Sequence, residues 1–349
     1  MCSLIFILCS LAGLDTIRKE FEIYQRFAGE IEILATDDAR EIDNVLERTK
    51  TKRLAVRKQL DEEEHLPAKL PAVLLADEYI APFLDYVAVE RAFADRALRQ
   101  GQIEEAVQTI RYLYRLAGLF SESGSLALRS AAARIRLQML ETAQSIVQHP
   151  RCRREHLQAL YEILEEQINT RTTDTAIWER YREEGLLFFA KLSRQDPTEL
   201  FPSEFFREAT NRRILEDYKK PDSPRAAYDQ SVFRRVLEAI ADSCSMPYFQ
   251  RHPVLQRLNE ELRQRRGTAN EPTVSMLLLQ DVPEQMQLFA QERSGIETAY
   301  LALSAALGKP TQNRMLNFLT GNQYEIRLIP DGVMCTYQGN IKPFYVPYR

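Results

Sequence analysis

Glycine is scarce in this sequence, with 12 among 349 residues, about half the usual share of about 7%. Phosphate-cradling loops are built from clustered glycines, and the sequence contains neither a dinucleotide-binding glycine fingerprint nor a phosphate loop. It also lacks a His-Glu-x-x-His zinc motif and a Gly-x-Ser-x-Gly nucleophile elbow. Cysteine occurs five times, at Cys2, Cys9, Cys152, Cys244 and Cys335. The first two lie in an apolar leader and the other three are scattered singly. This spacing excludes a disulfide framework and favours free or buried thiols, with at most one bridge among the three.

A charge excess is missing too. Forty-six Lys and Arg face 50 Asp and Glu, for a net charge of -4, which gives no general attraction to nucleic acid or anionic lipid. No run reaches the roughly 20 apolar residues that a membrane-spanning helix needs. Residues 1–14 are uncharged and mostly apolar, like the hydrophobic part of a secretion signal or anchor, although no basic segment precedes them. Ser10-Leu11-Ala12 suits a small-x-small cleavage site. A start codon upstream of Met1 would reconcile these signals. The expected location is the cell envelope, exported or anchored through 1–14, the alternative being a buried helix in a cytoplasmic protein.

What the chain does have is helical periodicity. Ile17, Phe21, Tyr24, Ala28, Ile31 and Ala35 recur at spacings of four and three, and Ile42 and Val45 keep the phase. Pro67 and Pro71 then close this N-terminal region, because proline lacks an amide donor and restrains its predecessor. Helical patterning resumes over 73–99, with Pro82 as a start or kink. Residues 101–164 read as three successive amphipathic helices: Ile103, Ala106, Val107, Ile110, Leu113, Tyr114 and Ala117 draw a broad apolar face. Ala131, Ala132, Ala133 and Ala143 let a neighbour approach the second helix closely. Leu157, Leu160, Tyr161, Leu164 and Ile168 stripe the third.

Further helices are expected over 178–192, 203–218, 228–244, 247–266 and 283–307. Asp196-Pro197-Thr198-Glu199 and Pro202-Ser203-Glu204 are helix-start signals. The tail changes period. Residues 324–329, 333–337 and 344–346 read as short strands joined by Pro330-Asp331-Gly332 and Gly339-Asn340. The expected fold is therefore mainly α: an irregular, helical-repeat-like antiparallel array with a small C-terminal β-meander. It divides into an apolar segment (1–14), N-terminal amphipathic helices (15–66), the array (67–320) and a meander (321–349) packed on the last helix.

Gly101-Gln102-Ile103-Glu104-Glu105-Ala106-Val107 and its flanking helices resemble a tetratricopeptide-type helix pair, in which a glycine ends one helix and an alanine five residues later packs the next. One such unit is visible, no second copy follows about 34 residues on, and Gly118 stands where that family usually shows proline. More broadly, the leader, the helical body and the closing Leu319-Thr320-Gly321-Asn322-Gln323-Tyr324 with its strands resemble uncharacterised all-helical proteins of bacterial cell envelopes. The resemblance implies location and architecture, and no activity.

Few side chains suggest chemistry. His149, Cys152 and His156 gather at a helix joint, but zinc would need a fourth ligand and Pro150 bends the path. A Cys152–His156 nucleophilic pair has no third group to orient it. Arg151, Arg153 and Arg154 crowd a helix start, where the dipole disfavours cations, so a carboxylate or an anionic ligand is expected beside them. Glu62 and His65 have the spacing of carboxylate-bridged metal bundles without the second pair such sites need. Trp178, Tyr181, Phe188 and Phe189 are spaced as core, and so are Phe201, Phe205 and Phe206. No catalytic, cofactor or metal residue is assigned.

The sequence thus points to an envelope-associated helical interaction or structural protein that works through a protein partner. One alternative is a carboxylate- or metal-dependent hydrolase whose acids converge from separate helices. Another is a secretion or pilus accessory protein, against which the long run of helices argues.

Overall fold

The computed structural model describes residues 39–62, 76–122, 126–194 except 172, 216–310 except 219, 221, 222, 267, 269, 270, 280 and 281, then 316–336 and 343–348. The leader, the 15–38 stripe, Phe201, Phe205, Phe206, His65 and the two helix starts near 196–204 lie outside these residues. The protein is mainly α with a small C-terminal antiparallel sheet. Among the described residues ten helices precede three strands: α1 Ala39–Glu62, α2 Ala76–Arg99, α3 Ile103–Glu122, α4 Leu126–Gln148, α5 Arg154–Asn169, α6 Thr175–Leu192, α7 Pro224–Ser243, α8 Tyr248–Gln264, α9 Thr273–Leu279 and α10 Val282–Ala306. The strands are β1 Glu325–Ile329, β2 Gly332–Thr336 and β3 Phe344–Pro347.

The helical stripes bury as their spacing requires. All seven apolar residues of the α3 face are buried, and so are the four alanines of α4, the helix on which α3 packs. Gly101 adopts φ +73, a left-handed conformation costly for any residue with a Cβ. Its amide donates to Leu98 O and that of Gln102 to Ala97 O, the paired bonds of a Schellman stop. Gly308 ends α10 in the same way, at φ +72. Pro82 lies inside α2 rather than at its start, and Ser223 with Pro224 opens α7 one turn before the patterned stretch from Tyr228. Ser223 Oγ there accepts from the Ala226 amide at 3.2 Å.

Two hydrophobic cores result. One joins α2 to α5, the sheet and the C-terminal half of α10; the other joins α6 to α9 and the N-terminal half of α10. Fifteen residues of α10 are buried, on every side of it, as befits a helix inside the molecule. Trp178, Tyr181, Phe188 and Phe189 are buried in the second core, each such ring contributing roughly 1.5–3 kcal/mol or more by leaving water. Gly185 belongs there because the Phe233 ring occupies the space of a side chain.

The sheet runs β1-β2-β3, with Ile326 opposite Cys335 and Val333 opposite Val346. Alternation puts Val333, Cys335, Phe344 and Val346 inward, and the sheet packs on α10 and α4. The Gln144 amide of α4 pairs with the backbone of Tyr345, donating to its carbonyl at 2.7 Å and accepting from its N–H at 2.9 Å. That contact satisfies groups an edge strand would otherwise expose.

Candidate functional site

The residues singled out at the 149–156 joint serve the backbone. His149 Nδ1 accepts from the Arg151 amide at 3.1 Å, and His156 Nδ1 accepts from the Arg153 amide at 2.9 Å, the reciprocal half of a capping box. Cys152 is buried beneath them. Among the described residues no group of three His, Cys, Asp or Glu could hold a metal. The neighbouring arginines find negative ends of other helices. Arg154 donates to Leu307 O at 3.0 Å, beyond the C-terminus of α10. The Arg151 side chain lies over Gly101 at the end of α2, and Arg153 sits 3.7 Å from Glu155. Helix dipoles thus draw two of the three cations that crowd the start of α5.

A denser polar cluster lies where α3, α4, α5 and α10 meet. Arg129 and Arg136 are seven residues apart, on one face of α4. Arg129 Nη2 donates to Glu292 Oε2 at 2.6 Å, and Arg136 Nη1 donates to Glu292 Oε1 at 2.9 Å and to Ser121 Oγ at 2.9 Å. Arg136 Nε reaches Gln167 Oε1 at 3.0 Å. Arg129 Nε points to Asp174 Oδ1 at 3.4 Å, so the carboxylate at the start of α6 is held by α4. One turn further along α10, Glu297 accepts from Arg293 Nε at 2.8 Å, from Tyr324 Oη at 2.5 Å and from Arg171 Nη1 at 3.5 Å. The group thus ties both core halves and the start of the sheet to one helix.

The electrostatics follow from this packing. Burial pushes the Glu292 carboxyl up, but Arg129, Arg136 and Arg171 together outweigh it and hold it down to about 2. Burial lowers Arg136 and Arg171, and the nearby Arg129 charge adds to it. A carboxylate locked in its charged form by three guanidiniums is a poor general acid or base. This cluster is built to hold charge rather than to move protons.

A small cavity opens on it, about 30 Å³ and lined by Gly118, Ser121, Arg129, Arg136, Gln167, Thr170, Arg171, Glu292 and Ile296. No family model, curated protein or solved structure matches the chain.

A second buried cluster repeats the arrangement. Glu90 of α2 accepts from Arg53 at 3.0 Å and from Arg57 at 2.6 Å, both on α1. Burial pushes Glu90 up, and the two arginines override it and hold it low. Arg53 also stacks 3.7 Å from the centre of the Phe93 ring.

None of these residues stood out in the sequence as a site. The signal that could have found the first cluster is Arg129 and Arg136 on the same stripe as Ala132 and Ala133. Charges on a face that small residues mark as buried require buried partners.

Proposed function

We propose that the protein is a non-catalytic helical scaffold of the cell envelope that works by contact with a protein partner. One observation carries this reading: each of three buried glutamates is clasped by two arginines, Glu90 by Arg53 and Arg57, Glu292 by Arg129 and Arg136, Glu297 by Arg171 and Arg293. The buried acids that a carboxylate hydrolase would have to gather are committed to joining helices, which suits a rigid body better than a reaction centre. The tetratricopeptide-like part of the proposal concerns α2 and α3, which flank the Gly101 stop and pack on one another; stacked helices of that kind would present a surface to a partner.

The envelope part leans on the sequence of residues 1–14. Among the described residues no helix is long and apolar enough to cross a membrane, so anchoring, in this proposal, falls to that segment. Cell fractionation with an antibody to the C-terminal tail tests it: envelope or exported recovery is expected. Recovery wholly soluble in the cytoplasm, with 1–14 intact, overturns it. In-cell crosslinking tests the partner. One discrete heterologous adduct is expected, and a ladder of random adducts or none overturns the contact reading.

A further inference from the structure

Four guanidiniums of the α4–α10 cluster, Arg129, Arg136, Arg171 and Arg293, meet three carboxylates, Asp174, Glu292 and Glu297. Among the described residues, four against three leaves one positive charge in excess, with the Arg293 side chain 37% exposed to solvent. On the cavity wall the imbalance is steeper, with Arg129, Arg136 and Arg171 against Glu292 alone. Two guanidinium nitrogens in this cluster, Nη1 of Arg129 and Nη2 of Arg171, are buried and have no hydrogen-bond partner among the described residues. The Arg129 side chain is only 6% exposed. A buried N–H of a charged group left without an acceptor is more costly than a neutral one, and a buried charge needs a counter-charge as well as a hydrogen bond.

We propose that this cavity binds a small monovalent anion, held by the guanidiniums of Arg129 and Arg171 that line it. About 30 Å³ has room for roughly two waters, which fits a halide or a planar oxyanion such as formate or nitrate and excludes a phosphate ester. Water could satisfy the two N–H groups but not the charge. Ser121 Oγ and Thr170 Oγ1 already donate to the carbonyls of Ala117 and Glu166. Gln167 Oε1 accepts from Arg136, which leaves its amide nitrogen as a third donor beside the two guanidiniums. Burial and repulsion from Arg129 lower Arg136 and Arg171, a penalty that an anion beside them relieves. Because the site exists only where α3, α4, α5 and α10 meet, the anion binds the folded chain and stabilises it.

The test is thermal unfolding of the full chain in sodium gluconate, chloride, bromide, nitrate and formate at equal ionic strength. Small anions are expected to raise Tm saturably over gluconate, by roughly 2 °C at ten times Kd, and Arg171→Gln to abolish the difference. A response to halides alone identifies a spherical site, and one extending to formate and nitrate an oxyanion site; both support the proposal. Identical Tm in all five salts overturns it, as does an unchanged anion response in Arg171→Gln. Should that variant not fold, crystals of the unaltered chain grown in bromide decide. An anomalous peak between Arg129 and Arg171 is expected, and a cavity holding only water overturns the assignment.

Discussion

Arg129 and Glu292, 163 residues apart in the chain, are joined at 2.6 Å in the interior, and both are nearly inaccessible to solvent. Breaking such a pair from one side leaves an unpaired buried charge. Glu292→Gln leaves Arg136 without a carboxylate and Arg129 with Asp174 alone, and is expected to cost about 3–5 kcal/mol, measurable by urea unfolding. The same pair predicts acid sensitivity. Glu292 titrates at about 2 in the fold against an ordinary 4.5, so its contribution is complete above pH 4.5 and is lost as pH falls toward 2. A drop from 4.5 to about 2 is worth about 3 kcal/mol. Stability between pH 5 and 2.5 should therefore fall less steeply in Glu292→Gln, and an unchanged slope would refute the assignment.

Two helical glycines should respond oppositely to alanine. A Cβ at Gly185 would lie 2.1 Å from Phe233 Cζ, in a ring that is fully buried and cannot swing aside. Gly185→Ala is expected to destabilise by about 1–3 kcal/mol, with part recovered by adding Phe233→Leu. At Gly118 nothing lies within 4 Å of the added Cβ, so Gly118→Ala should instead stabilise by about 0.5–1 kcal/mol through helix propensity. Denaturant midpoints of the variants decide, and equal shifts of one sign would remove the packing argument.

Cys152, Cys244 and Cys335 are buried, and none is in a disulfide among the described residues. Burial pushes the Cys244 and Cys335 thiols up to about 12, and the thiolate is the reactive form. Brief treatment of the native protein with iodoacetamide at pH 8 should leave these three unlabelled by peptide mass spectrometry, and denatured protein should label all three. Rapid native labelling of Cys335 would mean that the sheet opens from α10.

Periodicity made most of the helices legible because burial of one face is a local property of the sequence. The stripe from Ile103 to Ala117 lies inside as spaced, and strands β1 to β3 fall within a residue or two of the patterned segments. Gly101 was legible as a helix end through the tetratricopeptide-type resemblance, and its left-handed backbone is the physical reason glycine stands there. Arg129, Arg136, Glu292 and Glu297 were not. A charged residue on a helix reads as solvent-facing until its partner is known, and Glu292 lies more than 150 residues from either arginine. The same reasoning explains why Arg151 and Arg154 looked anomalous at their own helix start, although Arg154 caps α10 and Arg151 lies over the end of α2.

Helix α9 shows the same limit at its first turn, and a substitution at Asp229 tests the explanation. Only seven residues long, it follows Pro272, whose side chain can offer no capping oxygen. The cap comes from Asp229 of α7: its Oδ2 accepts from the Val274 amide at 2.8 Å and its Oδ1 from the Ser275 amide at 2.9 Å. These are the two amides that a local cap would take. Tyr218 Oη and Ser275 Oγ also donate to this carboxylate. Four donors therefore face two oxygens, and an amide nitrogen in place of either oxygen would set donor against donor. Asp229→Asn, which keeps the shape, is expected to cost about 1–3 kcal/mol and to raise amide exchange in 273–279 before the rest of the chain. Asn tolerated without either change would mean that α9 is held by Val274, Leu278 and Leu279 in the core alone, and that the carboxylate is dispensable.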